Sequence, residues 1–468
     1  MRLLFVTPEL TPYSGVTPAG DTCWALPKAL RGLGHDVTVL SPLYGFIDPA
    51  ARSLARRLWK VEVDVAGEEL AFDVYDVRTA AGLDLLFLGH EVLFQPCREV
   101  PLDGDGVEDA RRYLAFAHAA VKVAMDGDRA FDRVHGHGWA TGLVPGLLRL
   151  AGGALPTVHS VHDPTRKGAF GPAVADDLRV PRELRHDGGL HFLAAAVRDA
   201  DRVTAVSPSA AARLGEGPTE ALGPLFRDRG ADVVGILGGV DVALWNPATD
   251  ARLEARYDPI DRSGKARCKA ALQRELGLPE RDDRPLIGAL GPVDASTGLD
   301  RLARIASRLL RNDLQLAVVQ VGEERDPDLV DVLAEHQDRW PDRVQVRDEH
   351  DVALVHRLLA GCDALVAPRV APGSNLPMRA HRYGTLPIGP RQGAFADAVV
   401  DVDPKLGSGN GFLFAPEDDA ELLAALQRAV GAFGRRDAFD RLRARAMRVD
   451  HSWERAAYHY DRLYRNLG

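Results

Sequence analysis

The sequence has few of the features that mark disulfide-rich, metal-binding or membrane proteins. Its 468 residues include only four cysteines, Cys23, Cys97, Cys268 and Cys362, which are widely spaced and form no CxxC pair. This spacing argues against a disulfide framework or a cysteine metal site and favours free thiols. No run reaches the ~18 apolar residues of a membrane span. The apolar run before Pro8 is too short for a secretory signal and fits a first β-strand better.

The charge balance excludes further classes of partner. The formal net charge is -9, which does not suggest a nucleic-acid or anionic-membrane surface. Apolar residues make up 46% and charged residues 27%, an ordinary globular composition without repeats or low-complexity segments. The length allows two domains of roughly 200 residues each. We therefore expect a cytoplasmic protein with no nucleic-acid or membrane partner.

Short apolar runs alternate with longer amphipathic segments in both halves of the chain. The first half predicts a helix capped by Asp21 and running to about Arg31, a second helix at 107–125, and strands at 3–7, 36–40, 61–65, 84–88, 133–135, 156–161 and 202–206. The second half predicts a helix at 300–311 and strands at 286–290, 316–321, 344–347, 364–367 and 386–389. Strands separated by helices indicate α/β folding with doubly wound parallel sheets.

The composition shifts to charged and polar residues after Trp245-Asn246-Pro247. We predict a first domain at 1–247, a second at 248–450, and a C-terminal amphipathic helix at 451–468 that packs back toward the first domain. Two Rossmann-like domains in tandem indicate a ligand in the cleft between them, near the carboxyl ends of the strands. The architecture alone does not identify that ligand.

Several segments resemble those of bacterial glycogen synthases and plant starch synthases, in the same order along the chain. GILGGVDVALWNPATD is similar to the family's G-I-x-N-G-I-D-x-x-x-W-N-P-x-T-D, and residues 369–387, RVAPGSNLPMRAHRYGTLP, to its R-F-E-P-C-G-L-T-Q-L-Y-G-L-K-Y-G-T-L-P. Further matching segments are PELTPYSGVTPAGDTCWALPKAL, VHGHGWATGL, SVHDPTRKGAF, ADRVTAVSPSAA, GNGFLFAP and HSWERAAYHYDRLY. The resemblance implies the GT-B glycosyltransferase fold, in which two Rossmann-like domains face a central cleft.

The resemblance also implies a reaction, the transfer of glucose from ADP-glucose to the non-reducing end of an α-1,4-glucan with retention of configuration. The diphosphate leaving group gains negative charge as the glycosidic bond breaks, so cations or amide dipoles must face it. Carboxylates and backbone carbonyls normally hold the sugar and stabilise its oxocarbenium-like centre. A nucleotide sugar and an α-glucan are therefore the expected ligands, and we expect no cofactor and no metal.

The first glycine-rich loop departs from the family. Gly15 stands at the position of the family's lysine, and Thr17-Pro18 at the position of its glycine pair. Proline has no N–H and a fixed φ, so an amide cradle for the phosphates cannot form there in the family's way. Asp21 matches the family's aspartate, and either nucleotide binding or helix capping accounts for it.

The second phosphate-contacting segment, GPVDASTGLD, has lost its cations. Against the family's S-R-L-x-x-Q-K-G-L-D, Pro292 replaces the arginine and Thr297 the lysine, while Asp294 adds a charge of the opposite sign. Losing one preorganised cation typically costs a few kcal/mol of transition-state stabilisation. The double loss predicts a rate lower by many orders of magnitude.

Two carboxylates are also missing. Ala371 stands where the family has an essential glutamate, and Gly138 where its H-D-W-H motif has aspartate. An alanine side chain neither carries charge nor accepts a hydrogen bond. Ser374 remains as a predicted cap for a helix whose first turn holds Asn375, Leu376 and Pro377, and such an N-terminus binds anions weakly.

A few residues remain as binding candidates. His162 stands at the position of the family's sugar-contacting histidine. It either contacts the sugar or is a strand-end histidine packed beneath the cleft. His350 falls where the family often has a tyrosine that stacks on adenine, or lies in a surface loop. Arg369 and Arg379 either replace the lost cations or are solvated surface residues. Ser374 and Asn375 complete the candidates.

Three interpretations are compatible with this pattern. The first is a pseudoenzyme of the glycogen/starch synthase family that binds glucan or regulates, with an active glycogen synthase or another copy of the chain as partner. The second is an active retaining glycosyltransferase with a rebuilt donor site. The third is a non-enzymatic interaction module. Framework segments are kept while residues facing the donor change at four separate sites, which favours the first.

Overall fold

The computed structural model describes residues 1–467 except 103, 105, 128, 348–350 and 406. The chain divides into two compact units, one formed by 1–238 with 453–468 and the other by 239–452. The boundary expected from composition, between residues 247 and 248, lies a short way inside the second unit. No helix in the part of the chain that is described is long and apolar enough to cross a membrane.

Twelve strands are described in the first unit. In chain order they are β1 (Arg2–Val6), β2 (Asp36–Pro42), β3 (Ala55–Val65), β4 (Glu68–Arg78), β5 (Asp84–Gly89), β6 (Arg133–His137), β7 (Thr157–Val161), β8 (Ala169–Phe170), β9 (Arg185–His186), β10 (Gly189–His191), β11 (Arg202–Ala205) and β12 (Val233–Gly235). Nine of them form one sheet in the order β12-β11-β7-β6-β1-β2-β5-β4-β3, and β8, β10 and β9 form a small separate sheet.

The large sheet is parallel from β12 to β5 and antiparallel at the β5-β4-β3 edge. Its central strand β1 is buried on both faces from Leu3 to Val6, as expected for an unbroken apolar run inside a parallel sheet. Phe5 is paired with Val39 of β2 on one side and with His135 of β6 on the other. The carboxyl ends of β1, β6 and β7 therefore meet at one edge of the sheet.

Seven α-helices are described before residue 238: α1 (Pro18–Gly32), α2 (Val107–Ala124), α3 (Val144–Leu150), α4 (Pro172–Asp177), α5 (Phe192–Asp199), α6 (Pro208–Ala212) and α7 (Gly223–Arg229). Helix α1 begins three residues before the predicted start. Its cap is Thr17, whose hydroxyl accepts a hydrogen bond from the Ala19 N–H, and Pro18 occupies the first helical position. The prediction that Asp21 caps this helix is wrong, because Asp21 lies inside its first turn.

The second unit contains a six-stranded, fully parallel sheet in the order β15-β14-β13-β16-β17-β18. Its strands are β13 (Leu286–Val293), β14 (Gln315–Arg325), β15 (Val344–Arg347), β16 (Ala364–Val366), β17 (Leu386–Pro390) and β18 (Phe412–Phe414). Its helices are α8 (Ser263–Leu276), α9 (Leu299–Leu309), α10 (Pro327–Arg339), α11 (Val352–Gly361), α12 (Leu376–Arg382), α13 (Gly393–Ala398), α14 (Asp419–Phe433) and α15 (Arg436–Met447).

The last helix, α16 (Trp453–Arg465), belongs to the first unit. Its apolar face carries Trp453, Tyr460 and Tyr464, which are buried in the same core as β1 and α1. Arg133 of β6 donates to the carbonyl oxygens of Tyr464 and Leu467 at 3.3 and 2.5 Å. The helix is thus held against the sheet through the first residue of β6.

Candidate functional site

The loop between β1 and α1 is closed around a carboxylate of its own. Glu9, which is 3% exposed, accepts the Val16 N–H at 3.0 Å and the Thr17 N–H at 2.8 Å through Oε2. Its other oxygen accepts the Thr17 hydroxyl at 2.5 Å. These amides lie in the loop whose N–H groups are expected to hold the donor phosphates. An internal carboxylate therefore holds two N–H groups of this loop.

Gly15 is packed too closely to carry a side chain in this loop. A Cβ on Gly15 would lie 2.1 Å from Thr11 Oγ1 and 3.0 Å from Thr11 Cα, and a Cβ on Gly20 would lie 2.8 Å from Gly15 Cα. The Thr11 hydroxyl is fixed, since it donates to Asp21 at 3.0 Å. The loop has thus closed over the space of the missing lysine, and Asp21 takes part in that closure.

Gly138 has a backbone conformation that excludes the missing aspartate. Its φ of 70° and ψ of 168° lie in a region that is essentially restricted to glycine. The Gly138 N–H donates to the Ser160 carbonyl at 3.0 Å, which ties this conformation to β7. An aspartate here requires the backbone to change as well as the side chain.

His162, the expected sugar contact, follows β7 and is 9% exposed. Its Nε2 lies 3.0 Å from Nδ1 of His137, the last residue of β6, so the two rings share one hydrogen bond. The neighbouring His135 is held by the Tyr464 hydroxyl at 2.7 Å and by Ser160 Oγ at 2.8 Å. The His162 ring is therefore positioned by the sheet and by His137, and not by a carboxylate.

Burial determines the charge of this histidine cluster. Desolvation lowers the pKa of His162 to about 4 and that of His159 to about 3, because an imidazolium ion is poorly stabilised in the interior. Desolvation likewise places the pKa values of His135 and His137 well below the usual range. All four rings are neutral at physiological pH, so the cluster can donate or accept hydrogen bonds but supplies no positive charge to a phosphate.

In the second unit, the segment 292–297 is bonded to itself. The Thr297 hydroxyl, at the expected lysine position, donates to the Pro292 carbonyl at 2.8 Å. Asp294 accepts the Ser296 N–H at 2.8 Å and the Ser296 hydroxyl at 2.5 Å. Gly298, with φ of 74°, then begins α9 in the left-handed conformation. The segment therefore satisfies its own polar groups and contributes one negative charge and no cation.

Arg369 has its positive charge paired within the unit. Its guanidinium donates to both carboxylate oxygens of Glu417, at 2.9 Å from Nε and 2.6 Å from Nη2, and to the Ala295 carbonyl at 2.5 Å. The neighbouring Arg301 Nε donates to Asp419 at 2.7 Å. The hydrogen bonds from Arg369 hold the pKa of Glu417 below its usual value. Arg369 thus reinforces the fold of this segment.

The segment after Arg369 differs from the prediction in its cap. Ala371 is exposed, and the Ser374 N–H donates to its carbonyl in a turn. The residue at the cap of α12 is Asn375 and not Ser374, and the Asn375 amide donates instead to the Gly239 carbonyl at 3.4 Å. Only a long contact of 3.4 Å joins Ser374 Oγ to the Leu376 N–H. His350 lies outside the described residues.

Arg379 of α12 stacks on an aromatic column. Its guanidinium lies 4.2 Å from the centre of the Trp245 ring, which in turn stacks on His356 at 4.1 Å. Asp250 accepts the Tyr383 hydroxyl at 2.6 Å and is paired with His356 Nδ1 at 2.7 Å beneath the column. The framework segments WNPATD and YGT thus contact each other through a buried polar network, which gives their sequence pattern a structural cause.

Two residues that control the site were not found from the sequence. Glu9 and Glu417 occupy the groups that would otherwise face an anion. Glu9 lies just after β1, at the carboxyl end of a predicted parallel strand. That position could have indicated a role in the site from the sequence. Glu417 pairs with a residue 48 positions away, and no local pattern indicates that contact.

Each unit is an α/β domain built on a wholly or largely parallel sheet, and the candidate residues that are described lie in the loops and helices that follow strands. Solved structures with this arrangement are GT-B glycosyltransferases, which is the class that the fold and the site define. The catalytic domain of starch synthase IV from Arabidopsis thaliana, bound to ADP and acarbose, matches with a TM-score of 0.85 and 25% identity over 99% of this chain and 98% of that one. Sucrose-phosphate synthase from Thermosynechococcus elongatus shares the fold, with a TM-score of 0.63 and 16% identity over 100% and 99% of the two chains.

Sequence comparison identifies the family. Residues 2–222 match the starch synthase catalytic domain. The chain is 38% identical to the glycogen synthase of Anaeromyxobacter sp. strain Fw109-5, covering 100% of this chain and 99% of the relative. It is 35% identical to the glycogen synthase of Bordetella bronchiseptica, over 100% and 95%. The chain belongs to the glycogen/starch synthase family of glycosyltransferases, and the expected GT-B fold is confirmed.

Proposed function

We propose that this chain is a pseudoenzyme of the glycogen/starch synthase family, which lacks efficient glucosyl transfer from ADP-glucose to an α-1,4-glucan and acts by binding glucan or regulating an active synthase. The Arabidopsis relative is bound to ADP and acarbose, so a nucleotide and an oligosaccharide are the ligands to test first. The cytoplasm is the proposed compartment.

One observation carries the proposal: the segment 292–297 offers no cation, and the arginine beside it is already neutralised. Thr297 turns its hydroxyl to the Pro292 carbonyl, and Arg369 is held by both oxygens of Glu417. A diphosphate leaving group develops charge during the reaction, and groups that are already paired cannot stabilise it without first breaking those pairs. A low transfer rate follows directly.

The first unit supports the same conclusion independently. Glu9 holds two amides of the loop after β1, so these two N–H groups are not free to bind a phosphate. The buried histidines nearby are neutral, so they do not offset that charge. A donor phosphate entering this loop would meet like charge and occupied donors.

The experiment combines binding with turnover. Isothermal titration with ADP, ADP-glucose, UDP-glucose and maltooligosaccharides separates the ligands, and transfer of labelled glucose to a maltooligosaccharide measures activity. We expect maltooligosaccharide binding with transfer far below that of the Bordetella relative assayed in parallel. Transfer at a comparable rate with any donor would refute the pseudoenzyme and support a rebuilt donor site. Absence of binding by all four ligands would refute the glucan-binding role and leave an interaction module.

A further inference from the structure

A buried cysteine and two histidines converge at the carboxyl edge of the first sheet. Cys23 lies on α1, His137 ends β6 and His162 follows β7. One ligand atom from each residue lies within 4.8 Å of the other two, and all three side chains are buried. The sheet explains the convergence, since β6 and β7 are neighbouring parallel strands and α1 follows β1 on the other side of β6.

The geometry points to a metal site: we propose that Cys23, His137 and His162 bind one divalent transition-metal ion, with zinc as the preferred metal. A thiolate with two imidazoles is a borderline-soft donor set of the kind that selects zinc. Three protein ligands leave a fourth position for water or a substrate oxygen. This site departs from the sequence-based expectation of no metal, which rested on cysteine spacing alone.

The distances are close to those that an ion requires. A tetrahedral zinc ion has metal–nitrogen bonds of ~2.0–2.1 Å and a metal–sulfur bond of ~2.3 Å, which separates its nitrogens by ~3.3 Å and each nitrogen from the sulfur by ~3.6 Å. His137 Nδ1 and His162 Nε2 are already 3.0 Å apart. Loading the site would open this pair by a few tenths of an ångström, turn both rings toward the ion and draw the sulfur closer by about 1 Å at most.

The second nitrogen of the His137 ring is left without a protein hydrogen bond. Nε2 of His137 is buried and has no hydrogen-bond partner among the described residues. No protein partner therefore fixes the tautomer through Nε2, and Nδ1 can present its lone pair to the ion. The His137 ring also stacks on Phe5 at 4.9 Å, which limits how far it can move.

Binding has a simple proton balance. The two imidazoles are neutral before and after loading, and the Cys23 thiol gives one proton to solvent as its sulfur forms the metal bond. No oxidant or reductant is needed. The bound ion would join α1 to the ends of β6 and β7, and would commit His162 to the metal in place of a sugar.

The test uses the full-length chain, stripped with a chelator and titrated with zinc, and separately with cobalt as a spectroscopic probe. We expect saturable binding of about one ion per chain and a rise in Tm, because an ion that binds only the folded state stabilises it. Cobalt should give a thiolate-to-metal charge-transfer band. Cys23→Ser should lower zinc affinity by about 100-fold or more and remove the band, since even indirect contacts contribute 10–100-fold.

Two further variants keep the test decisive. Cys97→Ser removes a half-buried thiol elsewhere in the same unit and should leave both signals unchanged. His162→Gln keeps the size of the side chain and should weaken zinc binding even if Cys23→Ser proves unstable by circular dichroism. Equal zinc affinity in the wild type and His162→Gln, a charge-transfer band lost in Cys97→Ser, or no saturable binding by the wild type would each overturn the site. None of these outcomes depends on transferase activity.

Discussion

Restoring the missing carboxylate at Ala371 should not restore activity. The position is exposed and follows a segment stabilised by other residues, so Ala371→Glu should change the free energy of unfolding by less than about 0.5 kcal/mol. The variant is therefore a folded protein with the family's glutamate in place. If its transfer rate is still low, the cause lies in the residues around position 371 and not in the missing carboxylate.

The size of that deficit follows from the two lost cations. Each preorganised donor of this kind typically stabilises a transition state by ~2.7–4 kcal/mol. Pro292 and Thr297 supply neither charge, and Arg369 is paired with Glu417, so ~5–8 kcal/mol is absent. At 1.36 kcal/mol per tenfold change, this is a factor of about ten thousand to one million in rate.

Transfer of labelled glucose from ADP-glucose to a maltooligosaccharide measures the effect. We expect the transfer rate of Ala371→Glu to remain within about tenfold of the wild-type rate. The triple variant that adds Pro292→Arg and Thr297→Lys should increase the transfer rate at least as much as any single substitution does. The double variant Pro292→Arg/Thr297→Lys is the matched control. Rescue by Ala371→Glu alone to the level of an active relative would show that the cations are not limiting and would refute the reasoning.

Three further predictions test other parts of the structure. Gly15→Lys should lower the free energy of unfolding by about 1–3 kcal/mol in urea titrations because its Cβ overlaps Thr11. Gly32→Lys, at the end of α1 with open space around it, should cost less, and equal costs would contradict the close packing. Glu417→Gln should raise the affinity for ADP about threefold to tenfold by calorimetry, because it frees Arg369 from a part-exposed ion pair worth ~1 kcal/mol. An unchanged affinity would show that Glu417 does not mask Arg369. The free energy of unfolding should fall as pH drops from about 6.5 toward 4, because histidines in the unfolded chain then bind protons that buried ones such as His162 cannot. The slope of Tm against pH should be smaller in His162→Gln than in the wild type. His459→Gln, at an exposed position, should leave that slope unchanged.

The parallel strands could be predicted because their apolar runs are local and complete. Strands β1, β2 and β5 to β7, and helix α2, agree with the sequence-based bounds within a few residues. Strand β4 was missed although Leu70, Phe72 and Val74 alternate along it, and its antiparallel pairing with β3 and β5 makes one edge of the sheet mixed. The period-2 signal was present but lay between charged residues.

Helix α8 was missed for a different physical reason. Two positions on its buried face are lysines, which a hydrophobic pattern counts as exposed. Lys265 donates to the carbonyls of Ala360 and Tyr383 and to the Thr385 hydroxyl, each at 2.9 Å, and burial lowers its pKa to about 7. Lys269 is paired with Asp363 at 2.8 Å. Partners so distant in sequence cannot be seen in a local window.

In the candidate site, too, local sequence features could be predicted and tertiary contacts could not. Alignment with the family located the replaced positions, because each replacement is a local fact. It did not show that Glu9 holds the loop amides, that Glu417 holds Arg369, or that Gly138 has a glycine-only backbone, since each depends on a tertiary contact or on a dihedral angle. The sequence therefore indicated which positions differ from the family, and the structure shows which contacts the residues at and beside them make.

The contact between Gly15 and Gly20 has a consequence for the history of the chain. A Cβ on Gly15 is blocked by Thr11, and a Cβ on Gly20 is blocked by the backbone of Gly15, so neither position can take a side chain without a shift of its neighbours. Each intermediate on the way back would be less stable than the present loop and no more active. Selection for stability alone would therefore disfavour a side chain at either of these two positions.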